Sequence, residues 1–185
     1  MTWQLRRADS GDLGRIMALE TSTFETDAWS AETMRGELEN PNCWYLVAFR
    51  PETPGQLDGY AGLLIPRGAK EADIQTIAVA PEVRRSGLGR TLMVTLINEA
   101  AKRGAEEVFL EVRADNPAAQ ELYRTLGFEQ LAVRPQYYQP DGVDAIVMRI
   151  VPIPRGPALA EPEKPAQRSR HEARGVTDLD GQVEQ

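Results

Sequence analysis

The residues richest in possible chemistry lie between Ile74 and Tyr123. From Ile74 to Ala101 an apolar strand feeds a short turn, Arg84-Arg85-Ser86-Gly87-Leu88-Gly89, that opens a long helix. Such a turn aims unpaired backbone N–H groups at an anion, and phosphate is the usual occupant. Gly87 and Gly89 have no Cβ to hold a ligand away from the backbone. Arg84 and Arg85 add positive charge where the helix dipole already favours an anion. No Lys-Ser/Thr follows the glycines, which argues against a Walker-type nucleotide loop. Glycine spacing alone favours a plain turn. Downstream, Glu111 interrupts the apolar run Val108-Phe109-Leu110-Glu111-Val112. A carboxylate there is costly unless paired or protonated, and Arg113, two residues on along the same face, is a ready ion-pair partner. Tyr123, near the end of a helix, is either a core aromatic or a proton donor. With a reference pKa of about 10 it stays protonated at neutral pH and can protonate a thiolate whose acid titrates near about 8.5.

The elements that must position these groups follow from periodicity and punctuation. Trp3, Leu5 and Arg7 against Gln4 and Arg6 predict a strand over 2–7. Ser10 is placed to cap a helix whose stripe is Leu13, Ile16, Met17 and Leu19 or Glu20, ending near Thr23. Ser30 caps a second helix to about Glu39, stopped by Asn40-Pro41-Asn42. Residues 43–50 and 57–66 read as a hairpin joined by PETPGQ. A strand over 73–80 ends at Pro81, and the long helix runs from about 88 to 103, with Arg90, Asn98, Glu99 and Lys102 on its polar side. Val108 to Arg113 is the fifth strand. Asn116 caps a helix with Pro117 in its first position, ending at Gly127. Phe128 to Val133 and Ala145 to Val151 complete the sheet, with RPQYYQPDG between them. The order β-α-α-β-β-β-α-β-α-β-β predicts an α/β (α+β) domain, a mixed sheet of about seven strands flanked by about four helices.

Composition narrows the function. The chain has 185 residues, is 42% hydrophobic, carries a formal net charge of −7 and has one cysteine, Cys43. This size suits one domain, over 1–151. Residues 152–185, with Pro152, Pro154, Pro157, Pro162 and Pro165, read as a disordered polar tail. No apolar run is long enough to span a membrane, and the N-terminus lacks the apolar centre of a signal peptide. A cytoplasmic protein is expected. Cys43, in the run CWYLVAF, reads as a buried structural thiol. The acidic balance argues against direct nucleic-acid binding and is compatible with a basic protein or peptide partner. His171 is the only histidine, and no metal-ligand spacing is present.

Arg84-Arg85-Ser86-Gly87-Leu88-Gly89 resembles the pyrophosphate-binding loop Arg/Gln-x-x-Gly-x-Gly/Ala of the GNAT acetyltransferases. Leu110-Glu111-Val112-Arg113 and Asn116-x-x-Ala119-x-x-Leu122-Tyr123-x-x-x-Gly127-Phe128 resemble the segments that follow it in the same superfamily. Over residues 3 to 150 the resemblance sharpens. Leu19-Glu20 with Phe24, Trp29-Ser30, Arg134-Pro135-Gln136-Tyr137-Tyr138 and Asp144-Ala145-Ile146-Val147-Met148 look like the ribosomal-protein-alanine N-acetyltransferases (RimI-type). Ala28, in place of the usual proline before Trp-Ser, and Pro135 depart from that pattern.

The resemblance implies a mostly antiparallel GNAT sheet and acetyl-CoA as cosubstrate, without a metal. It further implies transfer of acetyl to the N-terminal amino group of a protein, a small-subunit ribosomal protein beginning with alanine. Glu111 would be the general base and Tyr123 the general acid. Backbone at Ile77, Ala78 and Val79, the loop from Arg84 through Ser86 and Leu88 to Arg90, and Asn116 would hold the cofactor, with Trp29, Tyr137 and Tyr138 at the acceptor. Acetylation of a lysine, a polyamine or an amino sugar on the same fold, and a catalytically idle acetyl-CoA-binding domain, are the alternatives.

Overall fold

The computed structural model describes residues 2–24 and 26–154. The predicted element order is the observed one: β1 (Gln4–Arg7), α1 (Leu13–Thr23), α2 (Ala31–Glu39), β2 (Cys43–Phe49), β3 (Gly59–Leu64), β4 (Glu71–Val79), α3 (Leu88–Lys102), β5 (Glu107–Arg113), α4 (Pro117–Thr125), β6 (Glu129–Tyr138) and β7 (Val143–Ile150). The strands form one sheet in the order β1-β2-β3-β4-β5-β7-β6, antiparallel throughout except where β4 and β5 run parallel. The one parallel contact follows from α3, whose crossover returns the chain beside β4 in the same direction.

Three expectations need correction. Asp9, not Ser10, caps the first helical segment: its side chain accepts the Gly11 N–H at 2.8 Å, and the Asp12 carboxylate accepts the Asp9 N–H at 3.1 Å. Aspartate caps as well as serine, and the reciprocal bond settles the choice one residue earlier. Second, RPQYYQPDG is not all loop. β6 continues to Tyr138 across a register break between Arg134 and Tyr138, with Gln136 at φ +53°. Pro135 cannot donate to the ladder, so the strand bulges there instead of ending. Third, the folded core reaches past 151: Ile153 is buried, and its N–H donates to the Glu106 carbonyl at 3.3 Å. The disordered-tail expectation and His171 otherwise fall on 155–185, outside the described residues.

Leu88, Leu92, Met93, Leu96, Ile97 and Ala100 of α3 are buried, and α3 lies on β3 and β4. Each large side chain of that set, taken wholly out of water, stabilises by about 1.5–3 kcal/mol. The fit is close: a Cβ at Gly59 would meet the Ala78 carbonyl at 3.0 Å and Leu92 at 3.1 Å. β4 carries one extra residue, Gln75, against β3, since Gly62 pairs with Thr76 and Leu63 with Ile74. That bulge reverses which side chains face which layer. Ile74, Ile77 and Val79 share the face covered by α3. Glu71, Asp73 and Thr76 share the other face with Tyr60, whose hydroxyl bonds Glu20 of α1. The parallel pairing of Ile74 with Leu110 extends the same division to β5, leaving Phe109, Glu111 and Arg113 on the α1 face.

Candidate active site

β4 and β5 pair from Glu71 with Glu107 to Ile74 with Leu110 and no further, although β4 continues to Val79 and β5 to Arg113. Immediately after the bulge the two central strands therefore part, opening a gap through the sheet. Ala80 donates to the Asp58 carbonyl on the β3 side at 2.8 Å. By strand alternation Ala78 turns its peptide group to β3 as well, while Ile77 and Val79 present theirs to the gap. The Val79 carbonyl accepts from Arg84 Nε at 3.2 Å, which leaves the Val79 N–H for a ligand.

On the α3 side of the gap lies the glycine turn. Gly87 adopts φ +94° as the residue before α3, and Arg85 adopts φ +62°. No protein atom lies within 4 Å of a Cβ built on Gly87, so its backbone angle, not crowding, calls for glycine. The first main-chain bond of α3 is from the Thr91 N–H to the Gly87 carbonyl. The N–H groups of residues 85 to 90 have no acceptor among the described residues, an arrangement that suits the negative oxygens of a diphosphate. The side chains of Arg84 and Arg85 are exposed beside it. The Ser86 hydroxyl is committed to the Val83 carbonyl. The Arg90 guanidinium is tied to the Thr125 hydroxyl at the end of α4 at 3.1 Å. A Cβ at Gly89 would touch Leu122 and Val79, which places α4 against the same corner. Tyr123, on α4, is buried, and burial raises its hydroxyl to about 12. It has no hydrogen-bond partner among the described residues. Asn116 uses Oδ1 to cap α4, accepting the Ala119 N–H at 3.1 Å. These groups fit the diphosphate and thioester ends of acetyl-CoA.

On the α1 side a cavity of about 540 Å³ is lined by Trp29, Asp73, Glu111, Arg134, Tyr137 and Tyr138, among others. The Glu111 side chain is 27% exposed and pairs with Arg134 at 2.6 Å, not with Arg113. β5 is buried only at every second position, so a carboxylate on its half-exposed face costs far less than the apolar run suggested. Arg113 is instead engaged by Asp27, Asp115 and Asp141. Hydrogen bonding to the Glu111 carboxylate raises the Tyr137 hydroxyl, and burial, then the Glu111 charge, raises that of Tyr138. Burial raises the Asp73 carboxyl, with the charges of Glu71 and Glu111 adding to the effect. The cavity is thus an acidic groove in which Arg134 is the one cation among the described lining residues.

The structure brings Trp29, Glu111, Tyr137 and Tyr138 together on one side of the gap, and Val79 with residues 84–90 on the other. Sequence reasoning missed Arg134 as the partner of Glu111. It also missed the work of Glu20, which is 1% exposed, accepts the Trp29 N–H at 2.8 Å through Oε1 and accepts the Tyr60 hydroxyl through Oε2. The signal for Glu20 was present, since a carboxylate on the apolar stripe of α1 needs partners. Cys43 is the inert thiol expected: it is buried, it donates to Glu37 at 3.2 Å, and burial pushes it up to about 12. Among the described residues no group of metal ligands is present, and no helix is long and apolar enough to cross a membrane.

Residues 13–128 match the family model described as Acetyltransferase (GNAT) family. The chain is 38% identical over 148 residues to the N-alpha-acetyltransferase RimI of Mycobacterium tuberculosis, covering 78% of this chain and 88% of that one. It is 40% identical over 141 residues to an uncharacterized protein of Mycobacterium leprae, of whose length it spans only 38%. Among solved structures it is similar to the ribosomal-protein-S18-alanine N-acetyltransferase of Escherichia coli, with TM-score 0.73 and 31% identity over 84% of this chain and 97% of that one.

Proposed function

The chain belongs to the GNAT acetyltransferase family, and from that premise we propose that it transfers acetyl from acetyl-CoA to the N-terminal α-amino group of a protein, a small-subunit ribosomal protein beginning with alanine. The observation that carries the reading is the gap between β4 and β5, with Glu111 and the acidic groove on one side and the unpaired N–H groups of residues 85 to 90 on the other. Acetyl-CoA, when bound, supplies the thioester. The N–H groups of residues 85 to 90, with Arg84 and Arg85, would hold its diphosphate, and the walls of the gap would hold its thioester end. No covalent enzyme intermediate is needed, in keeping with the burial of Cys43.

Each step of the transfer has a residue. Glu111 accepts a proton from the entering ammonium, directly or through water, leaving the amine lone pair free to attack the acetyl carbon. The Val79 N–H donates to the carbonyl oxygen as it becomes an oxyanion. Tyr123 gives its proton to the departing thiolate as the C–S bond breaks, the nitrogen gives up its second proton, through water, to restore the Tyr123 hydroxyl, and the new amide retains the acetyl group. An α-amino acceptor asks little of the base, because deprotonating an α-amine at pH 7 costs about 1.4 kcal/mol, against about 4.6 for a lysine. Glu71, Asp73 and Glu111 also favour an acceptor that arrives as a cation.

Thiol release from acetyl-CoA, measured with a panel of short peptides, tests the reading. Peptides with a free N-terminal alanine should turn over, while N-terminally blocked peptides bearing lysine, and polyamines, should not. Turnover confined to the blocked peptides or polyamines would move the acceptor to another amine class on the same fold.

A further inference from the structure

The two walls of the acceptor groove come from distant parts of the chain: the segment between α1 and α2, carrying Trp29, and the β6–β7 hairpin, carrying Tyr137 and Tyr138. One side chain, just outside the residues that line the groove, touches both. Arg113 lies two residues beyond Glu111 on the same face of β5, and its side chain is 21% exposed. Nη1 meets Asp27 of the first wall at 3.4 Å, and Nη2 meets Asp141, at the tip of the second wall, at 3.1 Å. Asp115, from its own strand end, accepts from Nε and Nη2 at 3.0 Å each, holding the guanidinium plane in place. The same plane lies over the Tyr138 ring, 5.2 Å from its centroid, and Thr26 donates directly across to Asp141 at 2.8 Å. Without the guanidinium, Asp27 and Asp141 would be two carboxylates repelling each other across the groove mouth.

Resting on the acceptor reading above, we propose that Arg113 is a positioning residue for the acceptor, a clasp that binds one aspartate from each wall and fixes the width of the groove beside Glu111. It touches neither the diphosphate cradle nor Val79, so its effect falls on the acceptor half of the reaction. Lysine cannot replace it fully, because a single ammonium cannot fork to three carboxylates and stack on Tyr138 at once.

The test uses the full chain, with an alanine-start peptide and acetyl-CoA as substrates. Arg113→Met should raise the acceptor KM tenfold or more and leave the acetyl-CoA KM within twofold, and Arg113→Lys should fall between it and the wild type. Asp141→Asn should shift the acceptor KM the same way, and the double variant should show less than the summed effect, because the two act through one contact and the second change also removes the Asp27–Asp141 repulsion. Independently of any acceptor, acrylamide quenching of Trp29 in a Trp3→Phe/Trp44→Phe background should at least double on breaking the clasp. An acceptor KM that holds within twofold, equal rises in both KM values, or unchanged quenching would overturn the proposal. Should Arg113→Met not fold, Asp141→Asn, in an exposed turn, carries the same readouts. If the unaltered enzyme turns over no free N-terminus, the acceptor reading fails, and quenching alone decides the clasp.

Discussion

Glu111 owes its position to the period of β5, where every second side chain is buried and Phe109 and Glu111, on the opposite face, line the groove. That alternation places the carboxylate beside Tyr137, Tyr138 and Arg134 instead of in the core. Glu111→Gln keeps the shape of the side chain and removes the proton acceptor. We expect kcat to fall by about 10²–10⁴, the usual worth of a positioned base, with the acetyl-CoA dissociation constant unchanged. Activity equal to the unaltered enzyme would take Glu111 out of the mechanism. At this scale the sequence was legible for residue types and incomplete for partners. Glu111 could be picked out from its apolar neighbours, but Arg134, twenty-three positions on, becomes its partner only because β7 pairs with both β5 and β6. The expected pairing with Arg113 does not form because Asp115, two residues on, together with Asp27 and Asp141 from other segments, engages Arg113 instead.

Elements place the cofactor side. The turn before α3 uses Gly87 at φ +94°, an angle that costs an L side chain about 1–2 kcal/mol and a β-branched one more. Gly87→Val should therefore lower stability by that order and, by re-aiming the free N–H groups of residues 85 to 90, weaken acetyl-CoA binding. Calorimetric titration checks this, and an unchanged dissociation constant would refute the cradle. The bulge at Gln75 is the second device, since it falls where β4 leaves β5. A strand, a glycine turn and a helix could be read from residues 74 to 101 because each has a local cause. The bulge and the gap could not: both depend on how β4 registers against β3 and β5, and register is a property of pairs of strands.

In the molecule as a whole, Asp12 joins the first strand to the first helix. Its carboxylate is fully buried and bonds Arg6 at 2.7 and 2.8 Å, Arg15 and the Asp9 N–H. The Arg6 hydrogen bond holds the Asp12 carboxyl below its usual range in the folded state. Stability from this pairing is then fully present above the unfolded pKa of about 3.9 and is lost as pH falls through the lower folded value. Both arginine side chains are 39% exposed, so water screens part of the attraction. Asp12→Asn should cost about 1–3 kcal/mol at pH 7, and the difference should shrink in urea unfolding below about pH 4. A difference that stayed constant with pH would assign the loss to packing instead. The sequence by itself determined the order of elements, the glycine turn, the caps at Ser30 and Asn116 and the candidates Glu111 and Tyr123, because propensity, period and punctuation act within a few residues. Only the tertiary structure decided that the sheet opens between β4 and β5, that Arg134 meets Glu111, that Glu20 holds Trp29 and that Arg113 spans the groove. Those depend on contacts between segments brought together by strand register and by the burial of charge; a local pattern flags that Glu20 needs partners but does not name them.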